Sequence, residues 1–220
     1  MNGWKLTEKT YINKNTVREK YMLDPSETLD HATYLSPYYG QRSDVTSRVG
    51  NPSFALISFT DTMKNNIVSD NGVYASSTAE ASISYRYAEV AHRFVFNISK
   101  FVKLPCVLTK IEYGWDGYST ASQGGVYRQT LQGWKLLRSS VPTSDESGLE
   151  HSETLTSILG AVVGGNFIFG VYSWVVCTDS PVSVTLYTDY VYVTVTYKIT
   201  DLLNAPIIKP KVIGVSGYER

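Results

Sequence analysis

The stretch Val182-Ser-Val-Thr-Leu-Tyr-Thr-Asp-Tyr-Val-Tyr-Val-Thr-Val-Thr-Tyr197 decides the fold class. β-Branched and aromatic residues alternate in it with small polar ones, the period of a half-buried strand. Val182, Val184 and Leu186 share one parity, whereas Val191, Val193, Val195 and Tyr197 share the other. A strand with one buried face changes parity only through an extra residue, so the run predicts a bulge near Thr188-Asp189.

Working outward, the chain offers further strand-like runs and little helix-forming sequence. Phe54–Phe59, Ser82–Tyr87 and His92–Ile98 read as strands, the last with Phe94, Phe96 and Ile98 on one face and His92, Val95 and Asn97 off it. In Val107–Asp116 the set Val107, Thr109, Ile111, Tyr113 and Trp115 is expected to face the core. Val126–Leu131 and Trp134–Arg138 form a hairpin about Gln132-Gly133, and the apolar Phe167–Cys177 reads as a strand covered on both faces. Lys64–Gly72, with its turn signal Asp70-Asn71-Gly72, and Gly117–Gly125 read as loops. Residues 1–50 are polar and rich in turn formers, with a thin apolar stripe for a short helix between Asn15 and Leu23. The expected organisation is all-β: an extended N-terminal arm over 1–50, a jelly-roll β-sandwich over 51–200, and an extended C-terminal tail over 201–220 with prolines amid apolar residues.

Composition narrows the classes of function. Twenty Lys and Arg balance 20 Asp and Glu, and no basic cluster alternates with aromatics, so direct nucleic-acid binding is not expected. Tyrosine stands out at 17 residues, a side chain that suits strands and also surfaces buried on assembly. Cys106 and Cys177 are expected as buried thiols, because a 220-residue chain buries enough surface to need no staple. The N-terminus lacks the apolar core of a signal peptide, and no stretch approaches the ~18 apolar residues of a membrane span. Synthesis in a cytoplasm and no membrane partner are therefore expected.

Catalytic signatures are sparse. His31, His92 and His151 show no metal-ligand spacing, and neither a nucleophile elbow nor a phosphate-binding glycine loop occurs. Glu112, Asp116 and Asp189 are the acids near strand ends, expected as solvated or turn-forming groups instead of a glycosidase pair. Loop oxygens of Asp70, Asn71 and Asp116 are candidates for calcium, yet the regular Asp-x-Asp-x-Asp-Gly spacing is missing and no cofactor is expected.

The succession His92-Arg-Phe-Val-Phe-Asn-Ile-Ser99, Leu108-Thr-Lys-Ile-Glu-Tyr-Gly-Trp-Asp-Gly-Tyr118, Trp134-Lys-Leu-Leu137 and Tyr187–Tyr197 resembles the galactose-binding-like β-sandwich. Such jelly rolls serve as carbohydrate-binding modules and as building blocks of phage and archaeal-virus particles. The resemblance, over Val68–Tyr197, implies that a ligand would sit among loops at one end of the sandwich. The matching residues are Asn71, Tyr74, Asp116, Tyr118 and Gln123, while Trp115 is expected in the core. It implies a non-enzymatic virion structural protein, a capsid decoration or tail-associated subunit. Its partners would be copies of itself and other virion proteins. The alternative is a carbohydrate-binding or receptor-binding protein that recognises cell-surface glycans through loop aromatics.

Overall fold

A computed structural model describes residues 4–23, 37–67, 71–101, 105–144, 149–154 and 162–200, with the side chains of Lys100 and of 149–154 excepted. Thirteen strands occur among them: β1 (Trp4–Asn13), β2 (Thr16–Leu23), β3 (Tyr38–Val45), β4 (Ile57–Ser58), β5 (Ala75–Ala81), β6 (Tyr87–Asn97), β7 (Cys106–Ser119), β8 (Gln123–Thr130), β9 (Gly133–Ser140), β10 (Leu149–Thr154), β11 (Val162–Val163), β12 (Asn166–Val176) and β13 (Val182–Ile199). One short helix, α1 (Asp61–Asn66), precedes β5, its first turn capped by the Thr60 hydroxyl, which accepts the Met63 N–H.

Two antiparallel sheets form a β-sandwich. The first runs β1-β2-β13-β7-β10, with β5 also on β13; the second runs β4-β3-β6-β12-β8-β9, with β11 on β12. One edge of β13 is shared: β5 pairs with residues 182–188 and β2 with 192–198, while β7 follows the opposite edge from 186 to 199. Between the sheets Tyr113 packs on Phe169 at 4.8 Å and Tyr21 on Phe96 at 5.3 Å, and the Trp4 indole N–H donates to the Val95 carbonyl at 2.8 Å. Phe94, Phe96, Phe167 and Phe169 are fully buried, each contributing roughly 2–3 kcal/mol of apolar transfer. β12 lies between β6 and β8 and is buried over most of its length, as its unbroken apolar run predicts.

The predicted bulge is present. Thr188 pairs with Gly117 and Tyr190 with Asp116, leaving Asp189 as the extra residue, and Val184, Leu186, Val191, Val193 and Val195 all reach the core. A second irregularity corrects the reading of β7. Tyr197 pairs with Leu108 and Thr196 with Lys110, so Thr109 is extra and its hydroxyl donates to the Thr196 carbonyl at 2.9 Å. Ile111, Tyr113 and Trp115 face the core as expected, but across Thr109 the phase reverses, burying Leu108 and exposing Val107. His92 is likewise corrected: the period of two puts it on the face of Phe94 and Phe96, and it is fully buried.

Three strands form within the segment read as an arm, and the surface they use is this sandwich's own. The helix considered between Asn15 and Leu23 is strand β2, whose Val17, Glu19, Tyr21 and Leu23 point inward. Val17 and Tyr21 fit both a four-residue and a two-residue period, and a glutamate at the intervening inward position hides the second. Phe54–Phe59 is not one strand. Asn51 caps a 3₁₀ turn over Pro52–Phe54 by accepting the Ser53 N–H, leaving only two strand residues in β4. Of Ser82–Tyr87 only Tyr87 is strand, opening β6; Ser82–Arg86 is the turn after β5, held by the Asp44 carboxylate, which accepts the N–H groups of Ser82 and Ile83 and the Ser82 hydroxyl. Of the predicted Lys64–Gly72 loop, Lys64–Asn66 belong to α1, and of Gly117–Gly125 only Thr120–Ser122 lie outside strands. The predicted tail over 201–220 lies outside the described residues.

Candidate functional site

The bulge in β13 organises the region that the ligand-loop residues occupy. Residues 189–191 fall between the part of β13 paired by β5 and the part paired by β2. Asp189 is only 1% exposed there, and its carboxylate accepts the N–H of Gly72 at 3.0 Å and of Asn71 at 3.4 Å, drawing the segment before β5 into the gap. Opposite, Gly117 lies so close that a Cβ would meet the Tyr187 carbonyl oxygen, the Trp115 ring and the Thr188 backbone.

On the outward face, Tyr118 of β7 and Tyr187 of β13 stand directly across from each other and stack with ring centroids 4.4 Å apart and planes at 15°. Tyr74 meets both edge-on, at 5.3 and 5.8 Å. Past the bulge the outward phase resumes with Tyr190 and Tyr192, stacked at 6.2 Å. Lys20 of β2 sits 4.6 Å over the Tyr192 ring, which lies across Gly114. All five tyrosines are half-buried. Arg18, Lys110 and Glu112 flank them as an ion-paired group, Lys110 at 2.8 Å and Arg18 at 3.4 Å from the Glu112 carboxylate. The two cations, Lys110 first, hold that carboxyl below its ordinary range against the opposing effect of partial burial.

The inward side of the bulge is a buried polar chain. Trp115 donates its indole N–H to the Thr188 hydroxyl at 2.7 Å. That hydroxyl meets His92 Nδ1 at 2.7 Å, and His92 Nε2 meets the Ser77 hydroxyl at 3.0 Å. Phe59 packs on the imidazole at 4.9 Å, and burial lowers the His92 pKa from 6.5 to about 3, fixing it neutral at physiological pH. The chain joins the two sheets beneath the tyrosines and has no opening to solvent, since all four residues are at most 5% exposed.

Two further carboxylates are buried and satisfied. Glu19 accepts the Tyr21 hydroxyl, the Tyr197 hydroxyl at 3.0 Å and the Lys9 ammonium at 3.0 Å; burial first, then the carboxylate, pushes both tyrosines well above their ordinary pKa. Glu89 accepts from Arg42 at 2.6 Å, the Tyr172 hydroxyl at 2.6 Å and the Val49 N–H at 2.8 Å, fastening the segment after β3 over the second sheet. Among the described residues no three His, Cys, Asp or Glu side chains converge as metal ligands. Asp70, a calcium candidate, lies outside them. Cys106 and Cys177 are free thiols, the first half-buried and the second buried.

Of the expected ligand-loop residues, Asn71, Tyr74 and Tyr118 gather at the bulge, with Asp116 beside it opposite Tyr190. Gln123 does not join them. It opens β8 in the second sheet, paired with Ser140, and its carbonyl accepts the Ser173 hydroxyl. Trp115 is in the core, 2% exposed, as expected. Tyr187, Tyr190 and Tyr192 escape a sequence reading of the site because tyrosine also favours strands; the parity change at 188–189 marks all three as outward-facing.

No curated protein matches the chain. A family model, AF_1625_C, described as an uncharacterized protein's C-terminal domain, matches residues 32–197. That span runs from before β3 to Tyr197, two residues short of the end of β13, taking in strands of both sheets and the bulge and leaving out the β1–β2 hairpin. The chain therefore belongs to the AF_1625_C C-terminal domain family.

Proposed function

We propose that this domain is a non-enzymatic structural subunit that acts by contact with neighbouring protein subunits, through the tyrosine-lined outer face of its first sheet. The observation that carries this reading is the packing of Tyr74, Tyr118 and Tyr187 against one another on that face, continued by Tyr190 and Tyr192. Tyrosines already ordered by mutual stacking lose little side-chain freedom on association and keep a hydroxyl for a hydrogen bond, which suits them to the centre of an interface. The charged group Arg18, Lys110 and Glu112 supplies the polar rim. The finer reading, a galactose-binding-like jelly roll serving as a capsid decoration or tail-associated subunit among other virion proteins, draws on the sequence resemblance.

Light scattering over a range of concentrations tests the proposal. The wild type is expected to associate, and Tyr118→Ser and Tyr187→Ser to weaken association by about 30-fold each, the effect of losing a ~2 kcal/mol interface anchor. A wild type that stays monomeric throughout, or variants that associate as strongly, would overturn it. One observation favours a second reading, glycan recognition: Asn71, with an amide able to bond a sugar hydroxyl, is exposed on the segment that carries Tyr74. Against it, Tyr118 and Tyr187 spend their ring faces on each other. A glycan array bound by wild type and lost with Tyr74→Ala would favour that alternative.

A further inference from the structure

The Asn71-Gly72 pair is set in a constellation that the assembly reading leaves unused. Both residues are exposed, so water reaches them. The Gly72 N–H points at the Asp189 carboxylate, 3.0 Å away, a group that accepts protons and is itself nearly buried. The Asn71 side-chain carbonyl oxygen accepts the Val73 N–H at 2.9 Å, folding the amide back over the chain that follows it. A nucleophilic nitrogen with a base on its proton, and a carbonyl with a donor on its oxygen, are the parts an intramolecular acyl transfer needs.

We propose that Asn71 is a self-modification site, where the fold promotes cyclisation of the Asn71-Gly72 pair and hydrolysis to aspartate and isoaspartate, with Asp189 as the base. The Gly72 nitrogen gives its proton to the Asp189 carboxylate and attacks Asn71 Cγ. The Val73 N–H stabilises the negative charge that develops on Oδ1. The tetrahedral intermediate collapses with loss of the side-chain nitrogen as ammonia, which carries off the proton held by Asp189 and leaves a five-membered succinimide. One water then opens the ring at either carbonyl, giving aspartate or isoaspartate. No oxidant, metal or cofactor enters the balance.

The consequence falls on the tyrosine cluster. Conversion adds a negative charge to the residue whose backbone N–H the Asp189 carboxylate holds, and that like charge opposes the contact that draws residues 71–74 into the gap. Tyr74 is on that segment. The chemistry would thus loosen the outer face with time. This last step alone rests on the assembly reading; the modification does not.

Peptide mapping by mass spectrometry, with fragmentation that separates aspartate from isoaspartate, tests it over a time course at neutral pH. The folded wild type is compared with the same chain kept unfolded in concentrated urea. The expected result is conversion in the folded chain faster by about 10²-fold, the scale of a positioned base, with Asp189→Asn removing the advantage. Slower conversion in the folded chain overturns the proposal, because the hydrogen bonds then protect Asn71. So does a folded Asp189→Asn variant that converts as fast as wild type. If that variant does not fold, the wild-type comparison still decides. Association is read separately on fresh and aged protein, so that a failed assembly reading and a failed modification are told apart.

Discussion

Replacing Gly117 by alanine tests whether the bulge is the structural hinge of the outer face. Gly117 has φ +154°, and a Cβ there meets the Tyr187 carbonyl oxygen, Trp115 Cζ2 at 2.8 Å and Thr188 Cα at 3.0 Å. Two of these three neighbours are backbone, so relief requires the β7–β13 ladder to move. Gly133, in the β8–β9 hairpin, is the internal control: its φ is +120°, but a Cβ added there would have no neighbour within 4 Å. Both substitutions carry a conformational cost of about 1–3 kcal/mol. Gly117→Ala adds an overpacking cost of about 1–3 kcal/mol, so it should exceed Gly133→Ala by about 2 kcal/mol, a sizeable share of the ~5–15 kcal/mol that stabilises a domain. In urea unfolding this is a gap of about 1 M between midpoints if m is about 2 kcal/mol/M. The Trp115 indole N–H resonance, bonded to Thr188, should shift in Gly117→Ala and not in Gly133→Ala. Equal midpoints and an unmoved indole signal would refute the idea that backbone closeness at the bulge fixes this region.

Burial of His92 makes stability fall on acidification. Its pKa is lowered from 6.5 to about 3, so below pH 6.5 the unfolded chain takes up a proton the folded chain does not; stability is full above that pH and declines by up to ~1.4 kcal/mol per unit as pH falls toward 3. A His92→Asn variant, compared by urea unfolding at pH 7.5 and about pH 5, should lose one proton's worth of this slope; an unchanged slope would mean that the imidazole is protonated in the fold. Tyr197→Phe removes one donor from the buried Glu19 carboxylate and should cost about 1–3 kcal/mol. Lys9→Met removes a partner whose side chain is 40% exposed and should cost less than about 1 kcal/mol. Thermal melts that rank the two the other way would show the ammonium to be the principal partner of Glu19.

The parts of the fold legible in the sequence are those where one face is apolar without interruption. β13 announces its bulge because valines flank it on both sides in opposite phase, so the extra residue is countable. Thr109 in β7 gives no such warning, because Val107 and Leu108 are adjacent and equally apolar, and either would serve as the inward one. β5 escapes because its inward residues are Ala75, Ser77, Ala79 and Ala81, too small to raise a hydrophobic alternation, although they allow β5 to lie closely against the core. β2 is obscured by the buried Glu19. A carboxylate facing inward reads as a surface residue until Tyr21, two residues along the same strand, is joined by Lys9 and Tyr197 from the strands on either side.

The site is half legible for a related reason. Asn71, Tyr74 and Tyr118 lie at loops or strand ends, where aromatic and amide side chains invite a binding reading, whereas Tyr187 and Asp189 lie within a long strand, where tyrosine is commonplace and an acid looks like a turn former. One bulge gives both a different role. Thr188 keeps the inward phase of Leu186, its hydroxyl on His92 and Trp115, and the residue inserted between it and Tyr190 leaves the Asp189 carboxylate to hold the segment of Tyr74. The inward chain is buried, neutral and hydrogen-bonded from Trp115 to Ser77, which makes it a well-defined floor. The tyrosines above it are stacked and half-exposed, which makes them the part able to meet a partner. Substitutions at Thr188 and His92 should therefore act on the outer face through its support, while those at Tyr118 and Tyr187 act on contact itself; the difference is measurable as a loss chiefly of stability in the first pair and, in the second, a loss of association larger than the about 0.5–1.5 kcal/mol that the broken ring pair takes from stability.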